Sequence, residues 1–179
     1  MYIKNSGRDL LLKYGNTISL IDATYKTTKY NIALFFICVK TNVGYSVVAE
    51  FVIQSEASEQ IAEALNVLRS WNTEWNPKYF MTDYSEAEYL ALKTAFPNIK
   101  IFLCDFHREE AWESWVKNSK HKLSKEEAQH LLHMFRTLAN ETQMCHFVSH
   151  LNALKESNVW IKHHSVQEWL NHTWLCITE

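Results

Sequence analysis

The sequence predicts an α/β domain with a mixed β-sheet, followed by a block of helices. Three runs rich in β-branched and aromatic residues come first, and two shorter apolar runs then alternate with helical segments. The last third of the chain shows helical periodicity without a strand signal. The predicted order is therefore β-β-β-α-β-α-β and then helices. This order favours an antiparallel meander that continues into right-handed β-α-β units, with helices on the faces of the sheet.

The composition is typical of a globular protein with a substantial core. Of the 179 residues, 47% are hydrophobic and 21% are charged. Only 3 Gly and 2 Pro occur, so long flexible linkers are not expected. We see no secretory signal at the start and no apolar run as long as a membrane span. The 4 cysteines therefore predict free thiols in a reducing compartment rather than a disulfide framework.

The first three predicted strands are Thr17–Tyr25, Ile32–Thr41 and Tyr45–Gln54. The linkers between them, Lys26–Asn31 and Asn42–Gly44, are short, and the second is typical of a hairpin. These strands should therefore pair as an antiparallel meander.

Two β-α units follow the meander. Ser55 is the predicted N-cap of the first helix, and Ser85–Glu88 reads as a capping box that opens the second. The intervening strands are predicted at Lys78–Asp83 and Ile99–Cys104. A second capping box at Ser124–Glu127 lies within the helical block.

Two aspartates mark the candidate site. Asp22 lies inside the apolar first strand, and Asp83 ends the fourth. We expect Asp22 to be buried, where a carboxylate needs a partner or a metal ion. Carboxylates on neighbouring strands are suited to a divalent ion that promotes phosphoryl transfer. The alternative is local hydrogen bonding, with Asp83 capping the helix after Ser85.

The segment Cys104-Asp105-Phe106-His107 has the spacing of a zinc-ligand pair. A structural zinc needs four ligands, and no second tight Cys/His pair of familiar spacing follows. We therefore expect no zinc. Cys104 should be buried at the end of its strand, and His107 should lie in the first turn of the next helix.

Three motifs in this order resemble the Mutator-like element (MULE) transposases of the ribonuclease-H-like DDE superfamily. The segment Ile21-Asp22-Ala23-Thr24-Tyr25-Lys26-Thr27-Thr28-Lys29-Tyr30 resembles their first-acid motif, and Tyr79-Phe80-Met81-Thr82-Asp83 resembles their second-acid strand. Cys104-Asp105-Phe106-His107 is similar to the Cys-x-x-His motif that follows the fifth strand. Similar sequence motifs occur in transposon-derived host proteins with SWIM-type zinc fingers.

The resemblance implies a ribonuclease-H-like mixed sheet with an α-helical insertion. It implies a lead-in over 1–16, a core over 17–106 and helices over 107–179. Asp22 and Asp83 are then catalytic ligands for Mg²⁺ or Mn²⁺, with Cys104 and His107 structural or near the substrate. The implied activity is cleavage and transfer of DNA strands. The implied partners are transposon ends, target DNA and further copies of the protein, without a membrane, in the nucleus.

One departure concerns the third acid of the family. That Glu follows the helical insertion in an Asn-rich stretch, whereas only Leu-Cys-Ile-Thr-Glu179 follows Trp174 here. We expect the chain to stop before this acid, with Glu179 at a frayed end and Glu168 a solvated helix residue. Three hypotheses remain. One is a transposase catalytic domain that is incomplete in this chain, and another is a domesticated, inactive module that binds DNA or protein. The third is an active nuclease that uses a non-family acid such as Glu168.

Overall fold

The computed structural model describes residues 2–3, 5–24, 32–83 and 85–175. It divides into two compact units, Met1–Arg108 and Glu109–Glu179. The first holds the sheet and the second is helical. Among the described helices, none has the length and apolar character needed to cross a membrane.

The predicted strands form with small shifts at their ends. The strands are β1 Tyr2–Ile3, β2 Ile18–Thr24, β3 Ala33–Thr41, β4 Gly44–Ile53, β5 Tyr79–Thr82 and β6 Lys100–Leu103. The sequence analysis did not predict β1, which is only 2 residues long. The predicted linker 26–31 lies outside the described residues.

The helices of the first unit are α1 Asn5–Tyr14, α2 Ser58–Trp71 and α3 Glu86–Ala95, and α4 Asp105–Lys117 begins there. The N-cap prediction for α2 was wrong, because Ala57 rather than Ser55 precedes its first turn. The Ser55 backbone N–H instead donates to Gln60 Oε1 at 3.0 Å, so the helix begins later.

The strands are ordered β1-β4-β3-β2-β5-β6 in one sheet. The pairs β1/β4, β4/β3 and β3/β2 are antiparallel, and β2/β5 and β5/β6 are parallel. The first strand of the meander thus lies beside the first strand of the β-α units. This is the predicted ribonuclease-H-like mixed sheet.

The core of the first unit centres on Trp75, which is 1% exposed. Its ring packs edge-on against Phe96 at a centroid distance of 5.3 Å. Its indole N–H donates to Ser19 Oγ at 3.1 Å, and the Ser19 hydroxyl donates to the Gly15 carbonyl at 3.0 Å. These bonds satisfy the polar atoms of the two side chains and fix the start of β2.

The second unit contains the rest of α4, then α5 Lys125–Asn140, α6 Met144–Glu156, α7 Asn158–Lys162 and α8 His164–Trp169. A 3₁₀ turn occupies Ser119–His121, and a π-helical turn occupies Leu170–Trp174. The core of the second unit includes four almost fully buried residues, Leu131, Phe135, Leu154 and Val166. Ser124 and Glu127 form the predicted capping box at the start of α5.

Candidate active site

Asp22 and Asp83 project from the same face of neighbouring parallel strands. Strands β2 and β5 pair with Leu20 opposite Met81. Asp22 and Asp83 each lie two residues further on, and side chains two apart share a face of a sheet. Asp83 directly follows β5, so both acids lie towards the carboxyl ends of the strands.

The expected burial of Asp22 was wrong. Its side chain is 48% exposed, although the run around it is apolar. The buried residues of β2 are Ser19 and Ile21, so Asp22 alternates onto the opposite face. An apolar run does not show by itself that both faces of a strand are buried, and here the acid is accessible to a ligand.

The Cys-x-x-His segment reaches the first acid through His107. Cys104 follows β6, and its backbone N–H donates to the Thr82 carbonyl at 2.8 Å. His107 lies in the first turn of α4, and its Nε2 is 3.6 Å from Asp22 Oδ1. Cys104 is half-buried rather than buried as expected. The segment therefore contacts the end of β5 through the Cys104 backbone and contacts Asp22 through the His107 side chain.

Glu88 is a further acid near this site that the sequence analysis did not select. It lies in the first turn of α3 and is 1% exposed. The Thr82 hydroxyl donates to its Oε2. Burial raises the pKa of Glu88 to about 8, and the Thr82 hydrogen bond opposes this rise. The negative charge of Asp83, a hydrogen bond to the Asp83 carboxyl and the negative charge of Asp22 add to the rise. Glu88 thus interacts electrostatically with both predicted acids.

The Cys38 thiol is also close to the first acid. Cys38 is half-buried and is paired with Leu20 across β3 and β2, on the face that carries Asp22. Burial raises the pKa of this thiol, and the charge of Asp22 raises it further. At neutral pH we therefore expect a neutral thiol beside the acids.

Three buried polar atoms around the site have no N–H or hydroxyl partner among the described residues: Asp83 Oδ1, Glu88 Oε1 and His107 Nδ1. The carboxyls of Glu88 and Asp83 hydrogen-bond each other. Two of the three atoms are carboxylate oxygens, which are the preferred ligands of Mg²⁺ and Mn²⁺. The donor chemistry therefore fits a hard divalent cation. Across the described part of the chain, however, no three His, Cys, Asp or Glu side chains converge closely enough to hold a metal ion.

The two other acids considered from the sequence belong to the second unit of the chain. Glu168 lies in the helical unit, is exposed, and contacts His164 Nδ1 at 3.4 Å through its Oε1. Glu179 lies outside the described residues. The structure therefore brings together Asp22, Asp83, His107 and Glu88.

Comparison with known proteins gives three results. A comparison with curated proteins gives no match. A chain of the simian T-cell lymphotropic virus intasome, solved with PP2A regulatory subunit B56 gamma, aligns at 17% identity and a TM-score of 0.38. That alignment covers 66% of this chain and 48% of the other, so this chain spans about half of its length. The BIV integrase catalytic core aligns at 12% identity and a TM-score of 0.35, covering 72% of this chain and 86% of that core.

The match to a family model identifies the family. The model of the MULE transposase domain matches residues 18–110, which is just over half of the chain. The matched residues begin with β2, which carries Asp22, and extend into α4, which carries His107. They include Asp83, Glu88 and Cys104. The chain belongs to the MULE transposase domain family.

Proposed function

We propose that this chain is the catalytic portion of a transposase that cleaves and transfers DNA strands with the help of divalent metal ions. The observation that carries the proposal is the placement of Asp22 and Asp83 on one face of neighbouring parallel strands, inside the segment matched by the family model. A partly exposed Asp22 is accessible to an ion and to a phosphate group.

Asp22 and Asp83 would hold Mg²⁺ or Mn²⁺. The chemistry supplied by bound ions of this kind is activation of a water or a 3′-hydroxyl and stabilisation of the leaving oxygen. The role of the chain is to keep the carboxylates in place while the phosphodiester is aligned. His107 supports this by lying beside Asp22 Oδ1, and the Cys104 backbone supports it by closing the end of β5.

The proposed partners follow from the family: transposon ends, target DNA and further copies of the protein, in the nucleus. The sequence has a net charge of −2, so affinity for DNA cannot come from an overall positive charge. Two carboxylates facing a phosphodiester would also repel it. Cation binding at Asp22 and Asp83 should therefore strengthen DNA binding.

The test is Mn²⁺ binding followed by electron paramagnetic resonance of the free ion. We expect the wild-type chain to bind Mn²⁺, and Asp22→Asn and Asp83→Asn each to weaken this binding at least about tenfold. Asp9→Asn is the matched control, because Asp9 is an exposed acid on α1 of the same unit. A wild-type chain that binds no Mn²⁺ at millimolar concentration would contradict the proposal.

The second candidate is a domesticated module that binds DNA or protein without catalysis. The observation that favours it is that no three potential ligands converge within the described residues. Fluorescence anisotropy with a labelled DNA duplex separates the two candidates. The catalytic proposal predicts that Mn²⁺ increases the affinity of the wild-type chain for DNA and has no such effect on Asp83→Asn. A non-catalytic DNA-binding module predicts affinity that does not depend on Mn²⁺.

A further inference from the structure

The densest basic run of the sequence lies in the helical unit, from the last residue of α4 to the first residue of α5. Residues 117–125 include Lys117, Lys120, Lys122 and Lys125 and contain no Asp or Glu. The run therefore carries four lysine charges within nine residues, whereas the whole chain has a net charge of −2. We call residues 117–125 the basic turn.

Three of the four lysines in the basic turn are available to a ligand. All four are exposed. Lys117 Nζ lies 2.6 Å from Glu113 Oε2, whereas Lys120, Lys122 and Lys125 form no ion pair with any residue that the structure describes. The turn therefore presents three ammonium groups to solvent without a negative partner among those residues.

The backbone of the basic turn is held by contacts within the helical unit. The Lys122 N–H donates to the Ser119 carbonyl at 3.2 Å. The His121 ring stacks on the Trp115 ring at a centroid distance of 3.8 Å. Trp115 in turn stacks on Trp169 at 4.4 Å, and both tryptophans pack against the core of this unit. Because the turn is already ordered, its lysines lose less backbone freedom when they bind a ligand.

Lys122 occupies a backbone conformation that lysine rarely adopts. Its φ is 53°, in the left-handed region, and among the residues that the structure describes it is the only non-glycine with a positive φ. This conformation is unfavourable for a residue with a Cβ and is usually taken by Gly or Asn. Strained residues of this kind cluster at binding sites, where the surrounding structure holds them in place. The backbone alone would favour glycine here, and a function of the ammonium group accounts for the lysine.

We propose that the basic turn binds the phosphate backbone of duplex DNA through Lys120, Lys122 and Lys125. The inference rests on the proposed function in one respect, since that function supplies DNA as the partner. Lysine binds phosphate as a point charge, and contacts to phosphates carry no direct base-sequence information. The three ammonium groups follow one another at intervals of two and three residues, which suits a polymer of repeated charges better than one small anion. The turn thus gives a chain with a net charge of −2 a local positive surface for DNA.

The experiment measures binding of a labelled DNA duplex by fluorescence anisotropy over a range of salt concentrations, with a chelator present. The turn variant is the full chain with three substitutions, Lys120→Gln, Lys122→Gln and Lys125→Gln. The control variant makes the same charge change at exposed lysines outside the turn, namely Lys13→Gln, Lys78→Gln and Lys155→Gln.

The turn variant should lose both affinity and salt dependence. We expect its affinity for the duplex at low salt to fall at least about tenfold. The slope of log affinity against log salt concentration should decrease in magnitude by roughly 3, about 1 for each lost phosphate contact. In the control variant this slope should change by less than about 1.

Lys122→Gly separates contact with DNA from a structural role. Glycine adopts a φ of 53° without strain, so we expect the melting temperature not to fall. The salt slope should nevertheless decrease in magnitude by about 1, because one ammonium group is lost. An affinity and a slope equal to those of the wild type would oppose the inference.

The outcomes separate this inference from the proposed function. If Mn²⁺ raises DNA affinity through Asp83 while the turn variant binds DNA like the wild type, the acid pair stands and the role of the basic turn is refuted. If the turn variant loses affinity while Mn²⁺ has no effect on the wild type, the basic turn stands and the catalytic proposal fails. If the wild type binds no duplex at low salt, with or without Mn²⁺, both are refuted. A loss confined to a labelled polyglutamate peptide, with DNA affinity unchanged, would overturn the inference in favour of a protein-binding surface.

Discussion

Removing the negative charge of Glu88 should stabilise the metal-free protein at alkaline pH. In the wild type, Glu88 is buried, it accepts the Thr82 hydroxyl, and it forms a hydrogen bond with the carboxyl of Asp83, whose negative charge also lies nearby. In Glu88→Gln the side-chain carbonyl can still accept the Thr82 hydroxyl. The new amide N–H groups can donate to the Asp83 carboxylate, as the proton of Glu88 does in the wild type.

The magnitude follows from the raised pKa. The pKa of Glu88 rises from 4.5 to about 8 in the folded protein, mainly because of burial. Between these values the unfolded chain has lost the proton and the folded chain still holds it, so increasing pH favours unfolding. The folding equilibrium of the wild type should fall by roughly a factor of ten per pH unit across this window, on the order of 5 kcal/mol in all. Glu88→Gln does not titrate and should escape this loss.

The assay is urea unfolding at pH 5 and pH 8 with a chelator present. Hydrogen exchange of peptides from β5 and α3 reports on the first unit, since the two units need not unfold together. We expect Glu88→Gln to resemble the wild type at pH 5 and to be clearly more stable at pH 8. The control Glu86→Gln should follow the wild type at both values. A Glu88→Gln protein that is less stable than the wild type at pH 8 would refute the reasoning.

Three further predictions concern Glu127, Gly15 and the cleavage of DNA. Glu127→Gln should destabilise the helical unit at pH 7, because the hydrogen bond from Lys162 lowers the pKa of Glu127 to about 2. This deficit should disappear as the pH falls from about 4.5 towards 2, as measured by circular dichroism. Gly15→Ala should lower the melting temperature, since its Cβ would lie 2.5 Å from the Leu11 carbonyl oxygen. The isolated chain should not nick supercoiled plasmid with Mn²⁺ above background, because no three potential metal ligands converge among its described residues. A loosely held ion misplaces the reacting groups, and such misplacement costs on the order of 10²-fold. Nicking by the wild type that Asp83→Asn abolishes would show that another acid completes the site.

The sheet was predictable because the residue types of the strands and the connections between them indicate the same topology. β-Branched runs marked the strands, and the short hairpin and β-α units restricted how the strands could pair. That order already makes β2 and β5 neighbours, so the closeness of Asp22 and Asp83 followed from topology. The two-residue strand β1 was not predictable, because a segment that short has no periodicity to detect.

The exposure of Asp22 and the burial of Glu88 could not be read from local pattern. An apolar strand that contains one acid is compatible with burial of both of its faces and with burial of one face only. The elements that pack on each face decide whether the acid is exposed. Ser85–Glu88 and Ser124–Glu127 have the same capping-box sequence pattern. Only Ser124–Glu127 forms both hydrogen bonds of the box, whereas Ser85–Glu88 forms the one from the Glu88 backbone N–H to the Ser85 side chain. The difference arises because the Thr82 hydroxyl lies within reach of Glu88, which is a tertiary contact.

The pairing of Glu88 with Asp83 explains why ionisation of Glu88 should be costly. At neutral pH the raised pKa of Glu88 keeps its carboxyl protonated, and this proton lies in a hydrogen bond with Asp83. When the pH rises past about 8 the proton leaves, and a buried carboxylate then lies beside the negative charge of Asp83. Replacing a buried charge by a neutral group is often neutral or stabilising. The stability advantage of Glu88→Gln should therefore be absent below about pH 4.5, where the unfolded chain also holds the proton, and should grow as the pH rises towards 8.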